Sequence, residues 1–201
     1  MFTTIMADPP WPYEKADLKS TPAHRPNSWD SPIAGCGAAK RYPLMTVEAI
    51  AALQVKQVSA PNAHLYLWTT NSFMVEAHTV ARAWGFDPKT IITWVKHKQQ
   101  QPEVASMKMG YWFRSATEHV LFCVRGSLRL QNKVCLPTWF GHPRLQHSAK
   151  PDWFRREIIE RASPGPYLEL FARAEAPGWT VWGNEVESAD LPLEASPDLT
   201  V

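Results

Sequence analysis

Cysteine is scarce in this sequence, and what there is does not cluster. Cys36, Cys123 and Cys135 are far apart, odd in number and never arranged as CxxC. That spacing argues against a structural zinc site, and no metal is expected. It also fits a reducing compartment, so the expected location is cytoplasmic. A surplus of one charge sign is missing too: the formal net charge is +2 over 201 residues. No broad basic field therefore announces a polyanionic partner, although a local groove can be basic when the whole chain is not. No apolar run approaches the ~20 residues of a membrane span, and MFTTIMADPPW lacks the basic start and long apolar stretch of a signal peptide. Repeats and low-complexity tracts are absent as well. These gaps leave a soluble globular chain with no membrane partner.

Two residue types are abundant instead, with 10 Trp and 18 Pro. The first suits stacking surfaces or a dense core, the second long ordered loops. The hydrophobic pattern predicts strands at Phe2 to Ala7, Ala63 to Trp68, Thr90 to Val95, Glu118 to Val124, Tyr167 to Phe171 and Trp179 to Trp182. Helices are expected from Thr46 to about Leu53, from Phe73 to Trp84 with Gly85 as the stop, and from Pro151 to Ala162. Long loops are expected at about 14–41 and 127–148, and an acidic tail over 187–201, so that one domain occupies 1–186. Strands alternating with helices imply an α/β fold with an open, largely parallel sheet covered on both faces. Ligands in such sheets bind beyond the carboxyl ends of the strands.

Asp8-Pro9-Pro10-Trp11 stands at one such end. The two prolines stop the strand and fix the backbone. The tetrad suits one chemistry in particular, alkylation of an exocyclic amine on a base. The lone pair of that nitrogen is delocalised into the ring. Acceptors aimed at its N–H bonds, here the Asp8 carboxylate and the Pro9 carbonyl, would make it more nucleophilic. Trp11 would offer a face for the base to stack on. The plain alternative is a turn that merely ends a strand.

Other candidates carry less. On a strand, Glu118 and His119 face opposite sides, so they cannot act on one atom together. His142 and His147 flank Arg144 and read as solvated or nucleic-acid-facing. Arg41, Lys96, Lys98, Lys108, Arg114, Arg144 and Lys150 fall near strand ends and loops and could form a phosphate-binding rim.

In order along the chain come MADPPW, RYPLMTVEAI, LYLWTTN, WGF…IITWVK, GYWFRSATEHVLFCVRG, HSAKPD, IIERASPG, LELFAR and GWTVWGNE. Carried by these nine pieces over roughly residues 5 to 186, the chain resembles the MT-A-seventy family of adenine N6-methyltransferases. The resemblance implies a Rossmann-like methyltransferase sheet in permuted order, with the catalytic DPPW strand first and the cofactor-binding strands last. That order accounts for the lack of a GxG loop before Asp8. It implies S-adenosylmethionine as cofactor and adenine in a nucleic acid as substrate; the compact chain favours DNA, with RNA open. It implies that Asp8, Pro9, Pro10 and Trp11 are catalytic and that Tyr42, Trp94, Lys96 and Glu118 line the base pocket. Asp8, Ser148, Lys150, Arg173, Glu175, Asn184 and Glu185 would hold the cofactor. Glu175-Ala176 stands where family members often have His-Asn, which implies rearranged ribose contacts. Few residues precede Asp8, so something other than a preceding segment is expected to cover the cofactor adenine. A non-catalytic, nucleic-acid-binding subunit is the alternative function.

Overall fold

A computed structural model describes residues 1–13, 44–107, 113–131, 135–145 and 149–193. Its frame is one mixed sheet of eight strands. Strand β1 (Phe2–Ala7) lies between β2 (Ser59–Thr69) and β7 (Tyr167–Leu170), parallel to both, and β8 (Trp179–Trp182) extends the sheet in parallel beyond β7. On the other side of β2 the direction reverses. Strand β5 (Thr117–Arg125) runs antiparallel to both β2 and β3 (Asp87–Lys98), and β4 (Gln101–Ala105) runs antiparallel to β3. A short parallel strand, β6 (Trp139–Pro143), also pairs with β3.

The strands read as nearly continuous apolar runs because both faces are covered. Alternate residues sort cleanly. Ile5, Ala7, Leu65, Leu67, Leu121, Leu168 and Leu170 pack against Ile50, Val55, Ala77, Val80 and Trp84. These last come from α1 (Val47–Ala52), α2 (Val55–Val58), α3 (Met74–Ala83) and the residue that caps α3, Trp84. Met6, Tyr66, Trp68, Val120 and Phe122 face the opposite way, onto Phe154, Ile158 and Ile159. That layer is a single helix with an irregular middle: Asp152–Phe154 is α-helical, Arg155–Ile159 is π-helical and Glu160–Ala162 is α-helical again.

Several sequence expectations shift. The sheet is mixed, not largely parallel, since apolar periodicity marks a strand without giving its direction. The loop expected over 127–148 contains β6, whose Gly141, His142 and Pro143 make a poor strand signal and which gains its ladder from β3. The acidic segment after Glu187 is held down at least to Leu193, which is fully buried and whose carbonyl accepts from the Gln54 amide. The expected loop over 14–41 lies outside the described residues. Among the described residues no helix is long and apolar enough to cross a membrane.

One buried polar cluster ties β2 to the segment after β5 and to the end of the covering helix. His64 is fully buried, with Nε2 3.2 Å from the Leu128 carbonyl and Nδ1 2.7 Å from Ser163 Oγ. Tyr66 OH lies 2.8 Å from the same Oγ. A neutral imidazole satisfies this set, donating to the carbonyl and accepting from the serine. Burial accordingly pushes the His64 pKa below its ordinary value. Its contribution to stability is complete above the ordinary histidine pKa of about 6.5 and is lost as the pH falls from there through the lowered folded value. Thermal melts between pH 7.5 and 5 should show a falling Tm, about 2–4 °C per kcal/mol lost in a chain of this size. His64→Gln should flatten that part of the slope. Half-buried His119 shifts in the same direction and keeps some of it. Glu169, raised by burial, acts oppositely as the pH rises from its ordinary value, so the difference between the parent chain and His64→Gln carries the assignment.

Candidate active site

Strands β1, β2, β7 and β8 are parallel to one another, so their carboxyl ends share one edge of the sheet, where β5 begins and β3 ends. Asp8 sits at the tip of β1, on the face of Met6. Glu118 at the start of β5 and Lys96 near the end of β3 lie on that face too, in line with Val120 and Trp94. Lys150 arrives from just before the helix that covers this face.

These four residues form one alternating chain of charge. Lys150 Nζ donates to Asp8 Oδ2 at 2.7 Å and lies 3.5 Å from Glu118 Oε2. Lys96 pairs with the other Glu118 oxygen. Exposure rises along the series, from 6% for the Lys96 side chain and 12% for Glu118 to 17% for Lys150 and 27% for Asp8. The inner pair is thus an anchor, and Asp8 is the member that reaches a visitor. Burial works against the charge on Lys150, but Asp8 and Glu118 outweigh it and push its pKa up to about 12. The ammonium therefore stays charged at any working pH.

The floor is aromatic. Lys150 Nζ stands 5.2 Å from the Trp68 ring centre and Lys96 Nζ 4.5 Å from that of Trp94. Trp94 and Phe140 are stacked at 6.4 Å with planes 4° apart. The Trp68 indole N–H is buried with no hydrogen-bond partner among the described residues. An unmet buried donor costs ~1–3 kcal/mol.

The turn after β1 is locked by its own backbone. The Trp11 amide donates to the Pro9 carbonyl at 2.9 Å, and the Met45 amide to the Pro10 carbonyl at 3.0 Å. Pro9 O thus has one lone pair engaged and one left. Trp11 itself departs from expectation. It is 3% exposed, its indole N–H donates to the Trp68 carbonyl at 3.1 Å, and one face stacks on Phe73 at 5.5 Å. In this conformation it braces the turn and presents no open face. Trp94, expected at a pocket mouth, is 1% exposed with its N–H on the His142 carbonyl, because β6 covers it. Lys96, expected to meet substrate, is spent on Glu118. Tyr42 and Ser148 lie outside the described residues.

At the ends of β7 and β8, Arg173 Nε stands 3.6 Å from Glu185 Oε1, with Asn184 and Glu175 exposed nearby in sequence. Here the backbone itself is strained and crowded. Phe171 takes φ 62°, unusual for a residue with a side chain, and a Cβ on Gly183 would stand 2.2 Å from the Ala172 carbonyl oxygen. Such strain gathers where a fold shapes a ligand site. Trp68 escaped the sequence reading, although its place in LYLWTTN, facing the same side as Tyr66, could have marked it. The Lys96–Glu118 pairing had no sequence signal, since 22 residues, including the whole of β4, separate the partners.

The MT-A70 family model matches residues 2–185. Type II methyltransferase M.MunI from Mycoplasma sp. is 27% identical over 209 residues, an alignment covering 98% of this chain and 84% of that protein. The N(6)-adenosine-methyltransferase catalytic subunit METTL3 of Homo sapiens is 28% identical over 94% of this chain, and the METTL3 subunit of Danio rerio is equally similar. The chain spans only 29% of the length of either METTL3 protein.

Proposed function

This chain belongs to the MT-A70 family, and from that premise we propose that it transfers a methyl group from S-adenosylmethionine to the N6 amine of adenine in nucleic acid. DNA is the proposed pool, because the alignment with the mycoplasma type II methyltransferase covers 98% of this chain and 84% of that protein. One observation carries the reading: Asp8, at the tip of the first strand, is held by Lys150 through Oδ2 at 2.7 Å. That contact leaves Oδ1 to accept from an amine N–H.

The residues divide the work as follows. Asp8 Oδ1 and the second lone pair of Pro9 O draw on the two N–H bonds of the amine. This concentrates electron density on nitrogen before transfer. The proline backbone keeps both acceptors in place, so little reorganisation is needed. The cofactor supplies an activated methyl group on a sulfonium. Lys150 offers its carboxylate end a charge-assisted donor, while Arg173, Asn184 and Glu185 present donors and acceptors suited to ribose hydroxyls. The sheet is read as the permuted methyltransferase order, with β1 carrying the catalytic tetrad and β7 and β8 the cofactor side. A non-catalytic subunit would have no need of this intact carboxylate–ammonium pair.

Transfer of labelled methyl to DNA and RNA pools, followed by nucleoside analysis, is the direct test. N6-methyladenine in DNA is the expected product. Label confined to RNA would correct the substrate, and no cofactor binding at all would overturn the reading.

A further inference from the structure

The basic rim expected around the catalytic edge loses two members to internal ion pairs, Lys96 and Lys150, and Arg41 and Lys108 lie outside the described residues. Positive charge gathers elsewhere. At the opposite edge of the sheet, where β5 ends and β3 begins, a groove of about 370 Å³ is lined by Arg82, Asp87, Lys89 and Arg125. The stem of Lys56 packs beside Gly85, where an added Cβ would stand 3.6 Å from Lys56 Cδ. Three cations thus line the groove with one carboxylate, in a chain whose net charge is +2. Asp87 is already engaged by Lys89.

The groove is also built, not merely charged. Arg125 Nη1 donates to the Lys56 carbonyl at 2.9 Å, which fixes its guanidinium while other N–H groups remain to donate. Arg82 closes the last turn of α3. Gly85 and Gly126 turn the chain at positive φ, 82° and 67°, and any side chain on Gly126 would strike Asn62. Two guanidinium forks and one ammonium around a polar hollow match the oxygens of a phosphate group.

We propose that the groove lined by Arg82, Lys89 and Arg125 is a phosphate site that holds the backbone of the nucleic acid away from the target base. The nine residues of β5 place it about 27 Å from the catalytic edge, at ~3.4 Å per residue. The phosphate chemistry rests on the geometry; the choice of a polynucleotide rests on the proposed function.

The test is anisotropy of a labelled 20-base-pair duplex made of G·C pairs alone, titrated at several salt concentrations. It offers no adenine and needs no methyl donor. Arg82→Gln and Lys89→Gln should each weaken binding several-fold and each lower the slope of log K against log salt by about 1. Arg161→Gln, an exposed cation on the far helix, serves as the control and should change the slope far less. No duplex binding at 50 mM salt, or equal slopes in all variants, would overturn the proposal. So would saturable, Arg82-dependent binding of inorganic pyrophosphate with duplex affinity unchanged, which would make this a site for a free phosphoanion. Lost slope without any methyl transfer would count against the proposed function alone.

Discussion

Asp8→Ala should reduce methyl transfer by at least about 10²–10³-fold, the usual loss when one preorganised polar contact to a reacting group is removed. The fold should survive. Asp8 lies at a strand tip with its side chain 27% exposed, outside both hydrophobic layers. Its removal does not strand Lys150, which keeps Glu118 at 3.5 Å. The melting temperature should therefore move by only a few degrees. Asp8→Asn retains an acceptor oxygen and should fall between the two. Labelled-methyl assays beside circular dichroism would check this, and near-normal turnover by a folded Asp8→Ala chain would remove the mechanism.

Lys150→Ala should act chiefly on cofactor affinity. A hydrogen bond to a charged group contributes ~1.5–3 kcal/mol, so the dissociation constant for S-adenosylmethionine should rise about tenfold to a hundredfold. A stability loss should accompany it, because Asp8 and Glu118 would then face one another without the cation between them. Lys96 still holds one Glu118 oxygen, which limits that loss. Calorimetry reads the affinity and a thermal melt the stability. In the parent chain the ammonium, with its pKa raised to about 12, should impose no basic limb on the activity profile between pH 6 and 9. Unchanged calorimetric affinity in the variant would take Lys150 out of the cofactor site.

The inner half of the charge chain bears on how the site keeps its shape. Lys96 and Glu118 are the least exposed of the four, and Lys96 sits over the Trp94 ring. Charges so placed are costly unless paired, and here each meets an opposite partner. The result is a rigid support beneath Asp8 and Lys150.

What the sequence determined by itself is local. Two prolines after a short β-branched run must end a strand, which put Asp8 at a sheet edge. Apolar alternation located β1 and β8 to the residue, and Gly85 marked the end of α3 through the positive φ it takes. Nine ordered motifs carried the family. What the tertiary structure decided is non-local. Lys150 meets Asp8 across 142 residues and Lys96 meets Glu118 across 22, and no spacing rule reaches that far. The burial of Trp11 and Trp94 depends on Phe73 and β6 packing over them, neither of which the tetrad or the strand pattern encodes. Strand direction likewise came only from pairing, because an alternating pattern reads the same from either end. Residue type and spacing named the chemistry; packing chose which side chains are placed to perform it.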